Sequence, residues 1–279
     1  MTAGKLLAAI QSGQVDAIYE FPSDQLPLAK SIPGVQIIPA HTAQTSICRM
    51  QVNQKPFDDL KVRKAMQMSI DRAAIKTLIY PEGGDAGEDH HVSPLHPEYF
   101  ALPALKRDIA GARALLKEAG AEGLEVTIDV GNTEGPWQQQ MVEAMRDQMA
   151  EAGIKLNISI LPATRYAEIW NKTAFGATSW THRPLGTMVL SLAYRTGTPW
   201  NESHYSNPAF DAALDDAEAT LDVAARKAKM AIVQKLIQDD AVILQSFWRP
   251  IYAVVSKKVH GFPAHPSQYH QLNKVWIEA

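Results

Sequence analysis

The order of elements predicted for residues 108–180 decides the fold, and its main parts are DIAGARALLKEAG (108–120), LEVTIDV (124–130), WQQQMVEAMRDQMAEAG (137–153), IKLNISIL (154–161) and ATSW (177–180). The first and third parts carry apolar residues at helical spacing and end in a glycine, which is typical of a helix C-terminus. The second and fourth alternate apolar and polar residues, as half-buried strands do. Pro162-Ala163-Thr164 begins a further helix predicted to reach about Lys172. Helices and strands therefore alternate, which predicts an open α/β domain.

The last of these strands ends in a polar and aromatic loop that predicts a ligand-binding edge. An indole, a hydroxyl, an imidazole and a guanidinium follow one another there, and convergent polar groups beside aromatic rings are typical of binding sites. The following loop adds further candidates, and the predicted ligand-binding set is Trp180, Thr181, His182, Arg183, Trp200, Asn201, His204 and Tyr205. Other roles stay open: Trp180 as core, Arg183 in a salt bridge or loop cap, and Asn201 and Tyr205 as residues that fix turns. Trp248 and Arg249 are weaker candidates.

Elements predicted on either side of this region extend the α/β pattern. The helices are Leu6–Ile10, a short one over Asp24–Ser31 capped by Ser23, one that begins at Asp58 or Asp59, Asp71–Ile79 with Ala74, Ile75 and Leu78 inward, Pro208–Leu221 and Ala224–Asp239. The strands are Val15–Tyr19, Val35–Pro39, Ile47–Val52, Val242–Trp248 and Ile251–Ser256, the last two separated by Arg249-Pro250. Residues Tyr80–Leu102 are rich in proline, glycine and charge and are predicted to cross the surface.

Composition excludes several classes of function. The formal net charge is −3 and the basic residues are scattered, so the charge pattern of a nucleic-acid or anionic-membrane binder is missing. The single cysteine, Cys48, excludes an intrachain disulfide and a cysteine-rich zinc site, and it is predicted to be a small buried hydrophobe. The first residues do not read as a signal peptide, and no stretch is long and apolar enough to span a bilayer.

Catalysis and metal binding are the alternatives that the residues raise. Ser179, Ser203 or Ser206 with His182 or His204 and Asp211 are the residue types of a catalytic triad, but no nucleophile-elbow motif surrounds them. His90, His91 and His96 could ligate nickel or zinc, although neither cysteine nor an ordered histidine pair on a helix supports them. The expectation is therefore no enzyme, no metal and no cofactor.

Several segments, in their order along the chain, resemble motifs of one protein family, the extracellular solute-binding proteins of peptide- and nickel-type ABC importers (family 5). Residues 56–65 match its P-F-D-D-x-x-V-R-x-A signature, and residues 108–120 match its D-x-x-x-A-x-x-L-L-x-x-A-G helix. Residues 205–211 are similar to its Y-S-N-P-x-F-D segment, and residues 259–262 to its V-x-G-F turn.

The resemblance implies a periplasmic-binding-protein-like fold of type II, peptide-binding class, of which this chain resembles the C-terminal part. The second lobe is nearly complete and part of the first is present. The implied domains are a first-lobe remnant at 1–52, a second α/β lobe at 53–250, and a return strand and tail at 251–279, with hinges near Val52-Asn53 and Arg249-Pro250.

The function implied is that of a periplasmic substrate-binding component that closes over a small peptide-like or anionic solute and delivers it to ABC permease subunits. The partners implied are that ligand, the permease and a missing N-terminal half or a second copy, with no nucleic acid. The alternative is a shortened, non-transport interaction module that needs a partner chain to complete its fold.

One departure from the family bears on the ligand. In peptide-binding members of the family that this chain resembles, the corresponding strand ends in a W-x-x-D pattern. The resemblance implies that the acidic residue of this pattern anchors the ammonium group of the peptide. Here the residues are Trp180, Thr181, His182 and Arg183. An arginine repels an ammonium group and holds a carboxylate, phosphate or sulfonate by a bidentate fork, so an anionic or polyhydroxylated ligand, or a peptide-like one held by its carboxylate, is predicted.

Overall fold

A computed structural model describes residues 3–263, 265–267, 269 and 271–278, so the ends of the predicted first-lobe and tail segments lie outside the described residues. The chain divides into two compact units. The terminal unit consists of the described residues up to Thr42, Glu82–Gly84 and those from Arg249 onward. The central unit consists of Ala43–Pro81 and Asp85–Trp248. The lobe boundaries predicted from the resemblance refer to a longer protein and stay predictions.

The helices and strands are numbered along the chain. The helices are α1 (Ala3–Gln11), α2 (Leu26–Lys30), α3 (Leu60–Ser69), α4 (Arg72–Ile79), α5 (Ile109–Glu118), α6 (Trp137–Ala150), α7 (Ala163–Ile169), α8 (Gly186–Ala193), α9 (Pro208–Glu218) and α10 (Val223–Asp239). The strands are β1 (Ala17–Ile18), β2 (Val35–Met50), β3 (Asp85–Ala86), β4 (Glu125–Val130), β5 (Lys155–Ile160), β6 (Phe175–Trp180), β7 (Ile243–Ser256), β8 (Val259–His260) and β9 (Trp276–Ile277). Short 3₁₀ turns occupy Ser23–Gln25 and Leu272–Lys274.

Side-chain caps explain where most helices of the central unit begin. Asp59, Asp71 and Asp108 accept hydrogen bonds from main-chain N–H groups in the first turns of α3, α4 and α5. Asn207 and Asp222 do the same for α9 and α10. Each such cap satisfies an N–H group that has no partner inside the helix and contributes about 1 kcal/mol.

The sheet of the central unit has the strand order β7-β2-β6-β4-β5, with β3 paired to β7. Strands β4, β5 and β6 are parallel to one another, while β2 runs antiparallel to β6. Successive side chains of a strand point to opposite faces. Cys48 and Met50 therefore pack into the apolar core beside α3–α6, whereas Ile47 packs into the core formed with α8–α10. Cys48 is fully buried, as predicted.

The terminal unit has a small apolar core of its own. Strand β1 pairs antiparallel with the Val254–Val255 end of β7. Helix α1 contributes Leu7 and Ile10, and the turn before α2 contributes Phe21. Strands β8 and β9 form a separate antiparallel pair. The predicted cap Ser23 is instead the first residue of the 3₁₀ turn, and Gln25 is the N-cap residue of α2.

Two predicted interruptions of strands are wrong. Strand β2 is continuous from Val35 to Met50, because its polar residues find partners: the hydroxyls of Thr42 and Thr45 donate to the carbonyls of Arg249 and Phe247. Strand β7 likewise passes through Arg249-Pro250 without a break. The fixed φ of proline lies within the range that extended backbone adopts, so Pro250 does not end the strand.

Three further differences lie in the central unit. Helix α8 was not predicted, and its first turn is capped by Glu98 from a distant segment. Residues Tyr80–Leu102 do not simply cross the surface, because Asp89–Ser93, His96 and Glu98 are buried. Several of their polar groups are paired, as in the ion pair between Asp89 and Arg72. On α4, Ile75 is buried as predicted, but Ala74 and Leu78 are exposed.

Candidate functional site

Strand β6 ends at Trp180, which is a buried residue. Its Nε1–H donates to Glu202 Oε1 at 3.1 Å. Its ring meets the rings of His91 and Trp200 edge-on, with centroids 5.3 and 5.8 Å apart. At 5% exposure Trp180 belongs mainly to the core, and Trp200, which is 45% exposed, presents the aromatic surface.

A buried ion pair that the sequence analysis missed fixes this arrangement. Glu202 Oε2 accepts from Arg49 Nε at 2.9 Å and from the Thr178 hydroxyl at 2.6 Å. Desolvation raises the pKa of Glu202, and the nearby Arg49 charge opposes that rise. Arg49 Nη1 donates to the main-chain carbonyl of Thr173, and Nη2 donates to that of Trp170. One signal was available, since an arginine in an apolar strand needs a buried carboxylate.

Arg183 is partly exposed, and its guanidinium makes one hydrogen bond to a side chain among the described residues. Its Nη1–H donates to the hydroxyl of Thr181, itself exposed, at 3.0 Å. Among the residues that the structure describes, no carboxylate pairs with this guanidinium and no main-chain carbonyl accepts from it. Neither the salt bridge nor the loop cap considered from the sequence is present there. The guanidinium keeps donors for an external acceptor.

His182 is tied to the sheet. Its Nδ1 accepts from the main-chain N–H of Ala43 at 3.0 Å, and the side chain is partly buried. A neutral imidazole that accepts at Nδ1 carries its proton on Nε2. His182 therefore anchors the loop to strand β2.

The segment between β3 and α5 supports the same loop. His96 Nε2 lies 3.0 Å from the Arg183 carbonyl oxygen, and Glu98 Oε1 accepts from the Thr187 N–H at 3.1 Å. A Cβ atom on Gly186 would lie 2.7 Å from Val92 Cγ1. The loop thus begins helix α8 in close contact with residues 92–98.

The histidines of this segment serve internal contacts. His91 Nδ1 lies 2.8 Å from the Tyr194 hydroxyl, and His90 Nδ1 accepts from the Val92 N–H at 3.2 Å. Burial, as the largest cause, lowers the pKa of His91 to about 3 and that of His96 to about 4. In the described part of the chain, no group of three or more His, Cys, Asp or Glu side chains is placed to hold a metal ion.

Of the other predicted site residues, Asn201 and Tyr205 make hydrogen bonds inside the protein, whereas His204 is exposed to solvent. Asn201 accepts from the Ser203 hydroxyl and the Tyr205 N–H and donates to the Tyr205 carbonyl, so it fixes a turn. Tyr205 is buried, and its hydroxyl donates to Asp240 at 2.5 Å. His204 is exposed.

Three of these residues line a cavity that does not include the Trp180–Arg183 stretch. The cavity has a volume of about 410 Å³, and it is lined by Asn53, Asn171, Thr196, Gly197, Thr198, Pro199, Asn201, His204, Tyr205 and Ser206. Of the eight predicted residues, Trp180, Thr181, His182, Arg183 and Trp200 are not among those that line this cavity.

The triad considered from the sequence is not assembled. Ser179 accepts from Gln138 at 3.0 Å, and Ser203 donates to Asn201 at 2.9 Å. Asp211 accepts from the Thr196 N–H. The Ser206 hydroxyl lies 3.4 Å from that of Thr196, and among the described residues none of the three serine hydroxyls bonds a histidine. Of the weaker candidates, Trp248 is buried against His91 and His96, and Arg249 pairs with Glu20.

Comparisons with known proteins agree with the predicted family. The sequence model described as "Bacterial extracellular solute-binding proteins, family 5 Middle" matches residues 2–223. The chain is 25% identical over 287 residues to the glutathione-binding protein GsiB of Pectobacterium atrosepticum, which covers 93% of this chain and 52% of that protein. The chain therefore spans about half the length of this curated relative.

Solved structures show the same fold. The periplasmic binding protein DppA of Helicobacter pylori, in complex with the peptide STSA, is similar with a TM-score of 0.84 at 19% identity, covering 100% of this chain and 56% of that one. NikA of Staphylococcus aureus, in complex with Ni(L-His)2, gives 0.82 at 18% identity, covering 99% of this chain and 60% of that one. The predicted periplasmic-binding-protein-like α/β fold is confirmed. In the described residues, no helix combines the length and apolar character needed to cross a bilayer.

Proposed function

Because the chain belongs to the bacterial extracellular solute-binding proteins of family 5, we propose that it forms part of the substrate-binding component of an ABC importer and takes a small, carboxylate-bearing, peptide-like solute through Arg183. The family consists of solute-binding proteins of ABC transporters, not enzymes. The observation that carries the proposal is the partly exposed Arg183 guanidinium, which bonds only the Thr181 hydroxyl among the described residues. Closure of lobes, delivery to a permease and a periplasmic location remain predictions for the complete protein.

The surroundings of Arg183 favour recognition of an anion. Guanidinium groups form paired, charge-assisted hydrogen bonds with carboxylates, and such bonds are about twice as strong as neutral ones. The loop that carries Arg183 is held by His182 at Ala43 and by Glu98 at Thr187. A loop that is ordered before binding loses less freedom when the ligand arrives, which supports affinity. Trp200 offers an exposed aromatic surface on the same unit.

Reduced glutathione is the first ligand to test. The relative GsiB is described as a glutathione-binding protein. Glutathione carries two carboxylates on a short peptide-like chain, which is the chemistry that a free guanidinium recognises. Its diethyl ester, which lacks both carboxylates, is the matched control ligand.

The decisive experiment compares Arg183→Ala with the unchanged chain in an NMR titration with glutathione. We expect the variant to bind about tenfold or more weakly, because at least one charge-assisted hydrogen bond is lost. The diethyl ester should bind both proteins equally weakly. Arg165→Ala removes the same charge from an exposed pair with Glu168 on α7 and should not change the affinity.

Two results would contradict the proposal. Equal affinity of the unchanged chain and Arg183→Ala for glutathione, with lower stability of the variant, would make Arg183 structural. Absence of any binding or thermal stabilisation of the unchanged chain by glutathione, other small carboxylates or peptides would favour the alternative, an interaction module that needs a partner chain.

A further inference from the structure

The main-chain carbonyl of Arg183 is held by a buried histidine from a distant segment of the central unit. His96 is 3% exposed, and its Nε2 lies 3.0 Å from the Arg183 carbonyl oxygen. Its Nδ1 accepts from the main-chain N–H of Ser93, also at 3.0 Å. A neutral imidazole has a single N–H group, so Nδ1 is unprotonated and Nε2–H donates to Arg183. Both ring nitrogens are thus occupied within the protein.

The same segment also fixes the loop beyond Arg183. Glu98 Oε1 accepts from both the N–H and the hydroxyl of Thr187, at 3.1 and 3.3 Å. Gly186 packs so closely that an added Cβ would lie 3.1 Å from His96 Nδ1. The loop therefore rests on residues 92–98 at Arg183 and again at the start of α8.

Fixing this carbonyl affects the Arg183 side chain. The residue before a proline is restricted to extended backbone, and Pro184 places Arg183 in that position. The hydrogen bond from His96 fixes the orientation of the peptide group that follows. Because side-chain rotamers depend on the backbone of their own residue, the direction of the guanidinium is limited in turn.

We propose that His96 is a positioning residue for ligand binding, which holds the Arg183 carbonyl and so directs the guanidinium towards a carboxylate. The inference rests on the proposed function, because it requires Arg183 to contact the ligand. His96 does not contact the ligand itself, since its ring is buried and both nitrogens are used. Removal of the Nε2–H donor should therefore weaken binding only through Arg183.

Two substitutions separate the two hydrogen bonds of His96. In His96→Gln the amide nitrogen takes the place of Nε2 and keeps a donor for the Arg183 carbonyl. In His96→Asn the amide oxygen takes the place of Nδ1 and keeps an acceptor for the Ser93 N–H, while the donor to Arg183 is lost. We expect His96→Gln to bind glutathione nearly as the unchanged chain does. His96→Asn should bind about fivefold more weakly, the scale expected when one side chain must be ordered on binding.

A double-mutant cycle distinguishes positioning from a general structural role. In the Arg183→Ala background, His96→Asn should cause no further loss of affinity for glutathione. Equal weakening in both backgrounds, or unchanged affinity of His96→Asn, would overturn the inference. If glutathione binds the unchanged chain and Arg183→Ala equally, the proposed function fails first, irrespective of His96.

A measurement on the unchanged chain keeps the inference testable even where a variant does not fold. The ¹⁵N shifts of the His96 ring should show a neutral imidazole protonated at Nε2 near pH 7. Protonation at Nδ1 instead would remove the donor to Arg183 and would contradict the assignment.

Discussion

At the scale of single residues, the contact between Arg49 and Glu202 organises the candidate site. Their side chains are 0% and 2% exposed, so both charges are removed from water. Such pairs add little stability compared with apolar residues, but removal of one partner leaves the other charge uncompensated. Glu202 also receives the Trp180 indole N–H and the Thr178 hydroxyl, which fixes the end of strand β6. Its importance therefore lies in holding several groups at once.

We predict that Glu202→Gln lowers the free energy of unfolding by about 3 kcal/mol. The glutamine amide has no charge to neutralise Arg49. In either orientation its NH2 group replaces an oxygen that accepts a hydrogen bond, either from the Trp180 N–H or from Arg49 and Thr178. Urea unfolding followed by circular dichroism measures the change. Glu168→Gln is the matched control, because it breaks an exposed pair with Arg165 and should cost less than about 1 kcal/mol. Equal losses in the two variants would contradict a special role for Glu202.

At the scale of elements, helix α8 depends on a contact that its own sequence does not contain. Its first turn is capped by Glu98, and Gly186 allows the helix to approach Val92. We predict that Gly186→Ala lowers the free energy of unfolding by about 1–3 kcal/mol, the usual cost of overpacking. Gly4→Ala on α1 is the control: its Cβ would meet no atom within 4 Å, and alanine favours a helix, so stability should rise slightly. A Gly186→Ala variant as stable as the unchanged chain would show that the contact relaxes at no cost.

Elements with local signals were predictable from the sequence, and those stabilised from elsewhere were not. Helix α5 has both its cap, Asp108, and its terminal glycine, Gly120, within the sequence that defines it. Helix α8 has neither, and its cap is separated from it by many residues. The sequence predicted two separate strands within the range of β2, yet Thr45, which lies between them, is buried and donates to the Phe247 carbonyl. Sequence patterns therefore located the elements but not the tertiary partners that extend or begin them.

The residues of the candidate site were also only partly predictable from the sequence. The exposed ends of the loop, Thr181 and Arg183, were recognisable from their residue types at the end of a strand. The supporting groups were not, because Glu98 and His96 lie in a segment rich in proline, glycine and charge that is typical of a surface loop. Their burial depends on pairing with Thr187 and Arg183, which no local pattern records.

At the scale of the whole molecule, the chain combines two units with separate apolar cores. The residues proposed to contact the ligand all lie in the central unit, as do the histidines that support them. The chain spans about half the length of the GsiB relative. The affinity of this chain for a solute would therefore show how much of the binding free energy this part of the protein supplies. Stability of the central unit is then a condition for any binding.

That stability should fall in mild acid. Burial lowers the pKa of His91 to about 3 and of His96 to about 4, below the ordinary value of 6.5 that applies in the unfolded chain. Between pH 7 and 5 the unfolded state therefore binds more protons than the folded state, and the free energy of unfolding decreases as the pH falls, by on the order of 3 kcal/mol for the two residues. Urea unfolding at pH 7, 6 and 5 measures this decrease, and His91→Gln should reduce it by about half, because one histidine no longer titrates. An equal dependence of stability on pH in the unchanged chain and in His91→Gln would contradict the lowered pKa of His91.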